Sequence, residues 1–137
     1  TTIFFRLLTE ESRSANLTKT NGYTDVASDA WYNTAVSAMT KAGIVDGYPD
    51  GTFGPQRDIT RAETMTLVNR VLNRQPETED DLLPNMTVWT DNANPNAWYY
   101  LAVQEATNSH YYKFKTNSQY EKWTELRETR DWTQLEK

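Results

Sequence analysis

The 137 residues contain no cysteine. A disulfide framework and a thiolate metal site are therefore excluded. There is one histidine, His110. With no thiol to join it, it suggests neither a metal centre nor a nucleophile–histidine pair, and a polar role in a loop is expected. No run of about 18 apolar residues occurs, so no membrane-spanning helix is expected, and no signal peptide is recognisable. Basic residues are in the minority, 14 Lys and Arg against 19 Asp and Glu, for a formal charge of −5. General nucleic-acid binding needs a basic field and is not expected. An anionic polymer held by a few local cations stays open. No motif singles out two of the 19 acidic residues as a catalytic pair, so glycan hydrolysis is not favoured. Neither a catalytic residue nor a cofactor is expected. The length suits one modest core rather than two.

What the chain does have is internal repetition. Thr24-Asp25, Ala30-Trp31-Tyr32 and Ala35-Val36 recur as Thr90-Asp91, Ala97-Trp98-Tyr99 and Ala102-Val103. Phe53 and Arg61 match Phe114 and Lys122 in spacing. At the start, Ile3-Phe4-Phe5-Arg6-Leu7-Leu8 aligns with Leu67-Val68-Asn69-Arg70-Val71-Leu72. The sequence thus reads as the tail of one repeat (1–14), a linker (15–22), a complete repeat (23–74), an acidic linker (75–87) and a divergent third repeat (88–137). It does not begin with Met, and its first residues read as mid-helix without a cap, so a longer natural chain is expected.

In the complete repeat, Ser28 or Asp29 is placed to cap a helix from Ala30. Trp31, Ala35, Ala38, Met39 and Ala42 fall on one face, and Gly43 is placed as the glycine that ends it. Trp31 reads either as core or as exposed, with core favoured because large aromatics usually serve packing. Gly47-Tyr48-Pro49-Asp50-Gly51 is dense turn chemistry, and Phe53 is expected to plug the core. Taken as a calcium loop from Asp46, the turn lacks the oxygen ligand at the third position and has Arg57 where the closing glutamate would stand. A second helix is expected from Thr60 to about Asn73. A third-repeat helix is expected to run through Tyr120 to about Arg130. The fold class expected is all-α, built of helix–loop–helix repeats.

Ile59-Thr60-Arg61-Ala62-Glu63 carries the most information. Thr60 and Glu63 have the spacing of a capping box. Arg61 has no such duty. At the first helical position it faces the positive end of the helix dipole, an unfavourable place for a cation. Two readings stay open: a receptor for carboxylate or phosphate made of the helix end plus a guanidinium fork, or a surface ion pair to Asp58 or Glu63.

Tyr23-Thr24-Asp25-Val26, Trp31-Tyr32, Gly43 through Phe53, Pro55 and Ile59 through Glu63 together resemble the S-layer homology (SLH) repeat. The resemblance implies a pseudo-threefold, three-pronged spindle with ligand grooves between repeats, here with a truncated first repeat. It implies a non-catalytic module at the bacterial cell wall that binds secondary cell-wall polysaccharide, often pyruvylated on N-acetylmannosamine. On that reading Arg61 takes the ketal carboxylate, Gln56 hydrogen-bonds ligand oxygens and Trp98 stacks on a sugar face. Gly43 and Tyr48 are further candidates. Lys122 stands where the third repeat would have its arginine, and lacks the bidentate fork. An alternative partner is a second copy or another chain that supplies the missing half-repeat and covers Ile3, Phe4 and Phe5.

Overall fold

In the computed structural model, which describes residues 1–135, the chain divides into two compact units, Thr1–Ile59 and Thr60–Lys137, rather than forming a single core. The first unit is centred on helix α3 (Asn33–Lys41), whose Ala35, Val36, Ala38 and Met39 are buried. Two shorter helices, α1 (Thr2–Leu7) and α2 (Glu10–Asn16), pack on it. The sequence suggested one helix over residues 1–14. It breaks at Leu8, because Thr9 starts a new helix by accepting a hydrogen bond from the Ser12 amide, and Glu10 and Glu11 favour the positive end of that helix.

The start of α3 also differs from expectation. Neither Ser28 nor Asp29 caps it; residues 27–33 form successive turns, and the helix begins only at Asn33. Trp31 therefore lies outside the helix and is 80% exposed, so the core role favoured for it is not the one it has. Its ring stands edge-on against Tyr32. The linker at 15–22 is not loose. Asn21 donates to Asn33 Oδ1 and Ser37 Oγ, and Asn33 donates to the Lys19 and Ser28 carbonyls.

Helix α3 closes as expected: Gly43 is left-handed (φ 69°), with the Gly43 and Ile44 amides bonded back to Thr40 and Met39. The following loop is sealed by Asp25, whose carboxylate accepts from the Phe53 amide at 2.7 Å and the Gly54 amide at 2.8 Å. Gly47 is needed where it stands. It has φ 71°, and a Cβ there would lie 2.3 Å from the Tyr23 ring and 2.8 Å from the Thr52 carbonyl.

The second unit holds α4 (Arg61–Leu72), α5 (Tyr100–Thr107) and an antiparallel hairpin, β1 (His110–Phe114) and β2 (Glu121–Leu126). The all-α expectation is corrected here: the described residues form five α-helices and a two-stranded sheet. Where a helix was expected from Tyr120, burial alternates: Glu121 and Trp123 are buried, and Lys122 and Thr124 are exposed. That is the period of a strand, and the aromatic run Tyr111-Tyr112 with Phe114 suits its partner. Trp123 joins Leu82 and Tyr100 in the core, with Leu83, Met86, Ala97, Leu101 and Leu126 packed around them. The acidic linker is anchored rather than merely solvated. Asp81 is buried and accepts from the Glu77 and Thr78 amides and from Lys115. No helix among the described residues is long and apolar enough to cross a membrane.

The two amide bonds to Asp25 hold its carboxyl below the ordinary range. A depressed carboxyl contributes stability above its unfolded value, near pH 3.9, and loses it as pH falls through the folded value. Acidification below about pH 4 should therefore speed hydrogen exchange at the Phe53 and Gly54 amides, relative to the α3 amides. Asp25→Asn should show the same fast exchange already at neutral pH.

Candidate functional site

Helix α4 begins with the expected box. Thr60 Oγ1 accepts from the Glu63 amide, and the Glu63 carboxylate accepts from the Thr60 amide at 2.8 Å and its hydroxyl at 3.0 Å. Two amides of the helix start are thereby satisfied, and Glu63 is committed to the cap. The first helical residue, Arg61, is exposed and makes no ion pair among the described residues. Of its two readings, the surface ion pair is thus not the one observed. The other end of α4 closes on Asn73 in the left-handed region, φ 53°. Between the two ends, Asn69 is buried and donates to the Ala102 carbonyl of α5 at 2.9 Å.

The start of α4 and the segment leading into α5 enclose a cleft of about 660 Å³. Arg61 lines it on the α4 side, with Thr60, Ala62, Glu63 and Met65. Trp98 lines it on the other, 67% exposed and edge-on to Tyr99. The cleft therefore offers a guanidinium, a helix N-terminus and an open indole face. That set suits a ligand carrying both an anion and a flat apolar face.

Two further lining residues were not singled out in the sequence. Trp89 is half exposed, with its Nε1 donating to Thr107 Oγ1 at 3.0 Å. Its repeat counterpart is Tyr23, so the aromatic was legible by alignment. Asn92 is 2% exposed; its amide nitrogen donates to the Tyr100 carbonyl and to Gln104 Oε1, while its Oδ1 has no partner. Its counterpart is the buried Val26. A polar residue at an apolar repeat position was the available signal. An unpaired buried acceptor costs roughly 1–3 kcal/mol and asks for an explanation.

The other sequence candidates do not line this cleft. Gly43, Tyr48 and Gln56 belong to the first unit. There Gly43 is exposed at the end of α3, Gln56 is exposed in the loop, and Tyr48 carries the Arg57 guanidinium 4.1 Å over its ring. Lys122 is exposed, but lies in β2 opposite Lys113 rather than at a helix start.

His110 departs from its expected loop role. It opens β1, and its side chain is 3% exposed. It converges with Glu105 and Glu121, their donor atoms lying within 4.8 Å of one another. The place of a cation in this cluster is taken by Arg74, whose Nη2 lies 2.9 Å from both Glu105 Oε1 and His110 Nε2. A metal would meet a fixed positive charge there, so the donor set suits an ion-pair network better than a metal.

Residues 22–65 match the model of the S-layer homology domain. Over these residues the chain is similar to the S-layer homology domain. Two similar proteins come from Acetivibrio thermocellus: one named cell surface glycoprotein 1, 38% identical over 47% of this chain and 3% of its own, and one named cellulosome-anchoring protein, 36% identical over 61% of this chain and 17% of its own. The middle cell wall protein of Brevibacillus brevis is 41% identical over 41% of this chain and 5% of its own. The chain thus spans only a small part of these relatives. No solved structure matches it. The matched segment includes α3, the loop after it and the first residues of α4, Arg61 among them.

The capping box makes a direct prediction. Thr60→Ala should destabilise the chain by about 1 kcal/mol. This is read as a lowered denaturant midpoint with unchanged slope.

Proposed function

We propose that this SLH segment anchors a surface protein to the bacterial cell wall by binding an acidic wall glycan, with the cleft between α4 and α5 as its main site. The observation that carries this reading is that Arg61, exposed and unpaired at a capped helix start, shares one cleft with an exposed tryptophan. In a helix start a carboxylate meets both backbone amides and a guanidinium fork. A pyruvate ketal on a secondary wall polysaccharide supplies such a carboxylate beside a sugar ring, and the ring's apolar face suits Trp98. Gln56, Gly43 and Tyr48 belong to the first unit and are not assigned to this cleft. Lys122 is proposed to contribute little, since it lacks both the helix start and the fork. The names of the relatives support a place at the cell surface. The reading assigns no catalytic step.

Arg61→Ala should lower affinity for purified pyruvylated wall polysaccharide at least tenfold by calorimetry, the size expected for a charged hydrogen bond. Arg61→Lys should fall between. Removing the pyruvyl groups from the polysaccharide should weaken wild type and leave Arg61→Ala nearly unchanged. Wild-type affinity in Arg61→Ala, with the fold intact, would remove Arg61 from the site.

A second reading, assembly through another copy of the chain, is favoured by Ile3 and Leu7. They stand one turn apart on α1 and are 73% and 70% exposed. It expects sedimentation velocity to show association that grows with concentration and is lost in Ile3→Ser/Leu7→Ser. A monomer at all concentrations rejects it.

A further inference from the structure

Arg74, just past α4, Glu105 in α5, His110 in β1 and Glu121 in β2 meet at one point. The side chains of Glu105, His110 and Glu121 are 3%, 3% and 0% exposed, and that of Arg74 is 26% exposed. Four ionisable groups from four chain segments are thus taken largely out of water, which is tolerable only if their charges balance.

Whether they balance depends on a single proton. His110 Nδ1 lies 2.7 Å from the Asn108 carbonyl, which only accepts, so Nδ1 keeps its hydrogen throughout. The titrating atom is Nε2. It lies 3.2 Å from Glu105 Oε2 and 3.2 Å from Glu121 Oε1. With Nε2 protonated, two cations face two carboxylates and the cluster is neutral; Arg74 Nη2, 2.9 Å from Nε2, then gives its hydrogens to Glu105 Oε1 and Glu121 Oε1 and none to Nε2. With Nε2 bare, its lone pair points at two carboxylates, Arg74 Nη2 is its one donor, and the buried cluster carries a net negative charge. The neighbours do not relieve this. The His110 ring stacks on Trp123 at 4.0 Å, and Trp123 Nε1 already donates to Glu105. The other neighbouring titratable group, Tyr112 of β1, is covered by the Arg74 guanidinium.

We propose that Arg74, Glu105, His110 and Glu121 form a pH-dependent lock, closed when His110 is protonated, that fastens the end of α4 and the body of α5 to the β1–β2 hairpin. The lock is independent of what the cleft binds. It predicts that stability in the second unit follows the protonation of one imidazole. Burial works against the charged imidazole, but the hydrogen bond and charge of Glu105, with the Asn108 carbonyl and Glu121, outweigh it and hold the pKa above the ordinary 6.5. A raised histidine contributes its full stability below about pH 6.5 and loses it as pH rises through the folded value.

The chain has one histidine, so its imidazole Cε1–H signal is unambiguous in proton NMR. On the full chain, the wild-type signal should titrate with a midpoint above 6.5. In Glu121→Gln the midpoint should fall by about one unit or more. In parallel, the wild-type Tm should drop between pH 6 and pH 9 by about 2–8 °C more than that of His110→Gln. A wild-type midpoint at or below 6.5 overturns the lock, and that measurement needs no variant to fold. Tm curves that run parallel for wild type and His110→Gln overturn it equally.

Discussion

The hydrogen bond from Asn69 to the Ala102 carbonyl fixes how α4 lies against α5, and the cleft depends on it. Asn69 is buried, so sliding one helix past the other would strand its amide without a partner. Apolar packing alone would tolerate a shifted register far better than a buried amide does. Arg61 lies about two turns before Asn69, and Trp98 lies just ahead of α5, a few residues before the anchor at Ala102. One polar contact therefore sets the separation of guanidinium and indole across the cleft. The capping box and the left-handed Asn73 do the complementary work by fixing where α4 starts and stops.

The same unit carries a second polar constraint at the far end of α4. Arg74 turns the end of that helix into a cation aimed at Glu105 and Glu121. Both carboxylates belong to elements that pack on the Trp123 core, so the ion pairs and the apolar cluster support each other. Buried ion pairs are weak as sources of stability but strict about geometry, because a misplaced partner leaves a charge unpaired. Here they specify which face of the hairpin turns inward.

What was legible in the sequence was local. The Thr60-x-x-Glu63 spacing announced the cap, Gly43 announced the end of α3, and the turn residues announced the loop. Each of these is decided within a few residues, by backbone groups that the local side chains must satisfy. The helix-start reading put Arg61 forward and the family resemblance put Trp98 forward, and the structure brings both to one cleft. What was not legible depended on partners distant in sequence. His110 looked like a loop residue because nothing near it discloses Glu105, Glu121 or Arg74. Asn92 looked ordinary until its position was compared with Val26 and its neighbours were known. Trp31 looked like core because its spacing matched a helix that in fact starts later.

The helix expected after Tyr120 failed for a reason that also bears on function. At the positions of Arg61 and Ala62 the third copy has Lys122 and Trp123. In a helix start, adjacent residues point about 100° apart, and a small Ala62 leaves room for a ligand beside Arg61. A tryptophan in place of that alanine must find a core, and a strand satisfies it by sending Trp123 inward and Lys122 outward. The exchange removes the helix N-terminus along with the arginine, so the arrangement of Arg61 at a capped helix start is not repeated there. In return the third copy gains the buried indole on which His110 stacks and to which Glu105 is bonded. The tryptophan that replaces the alanine of the helix start is thus the residue that builds the packing beneath the Arg74 cluster.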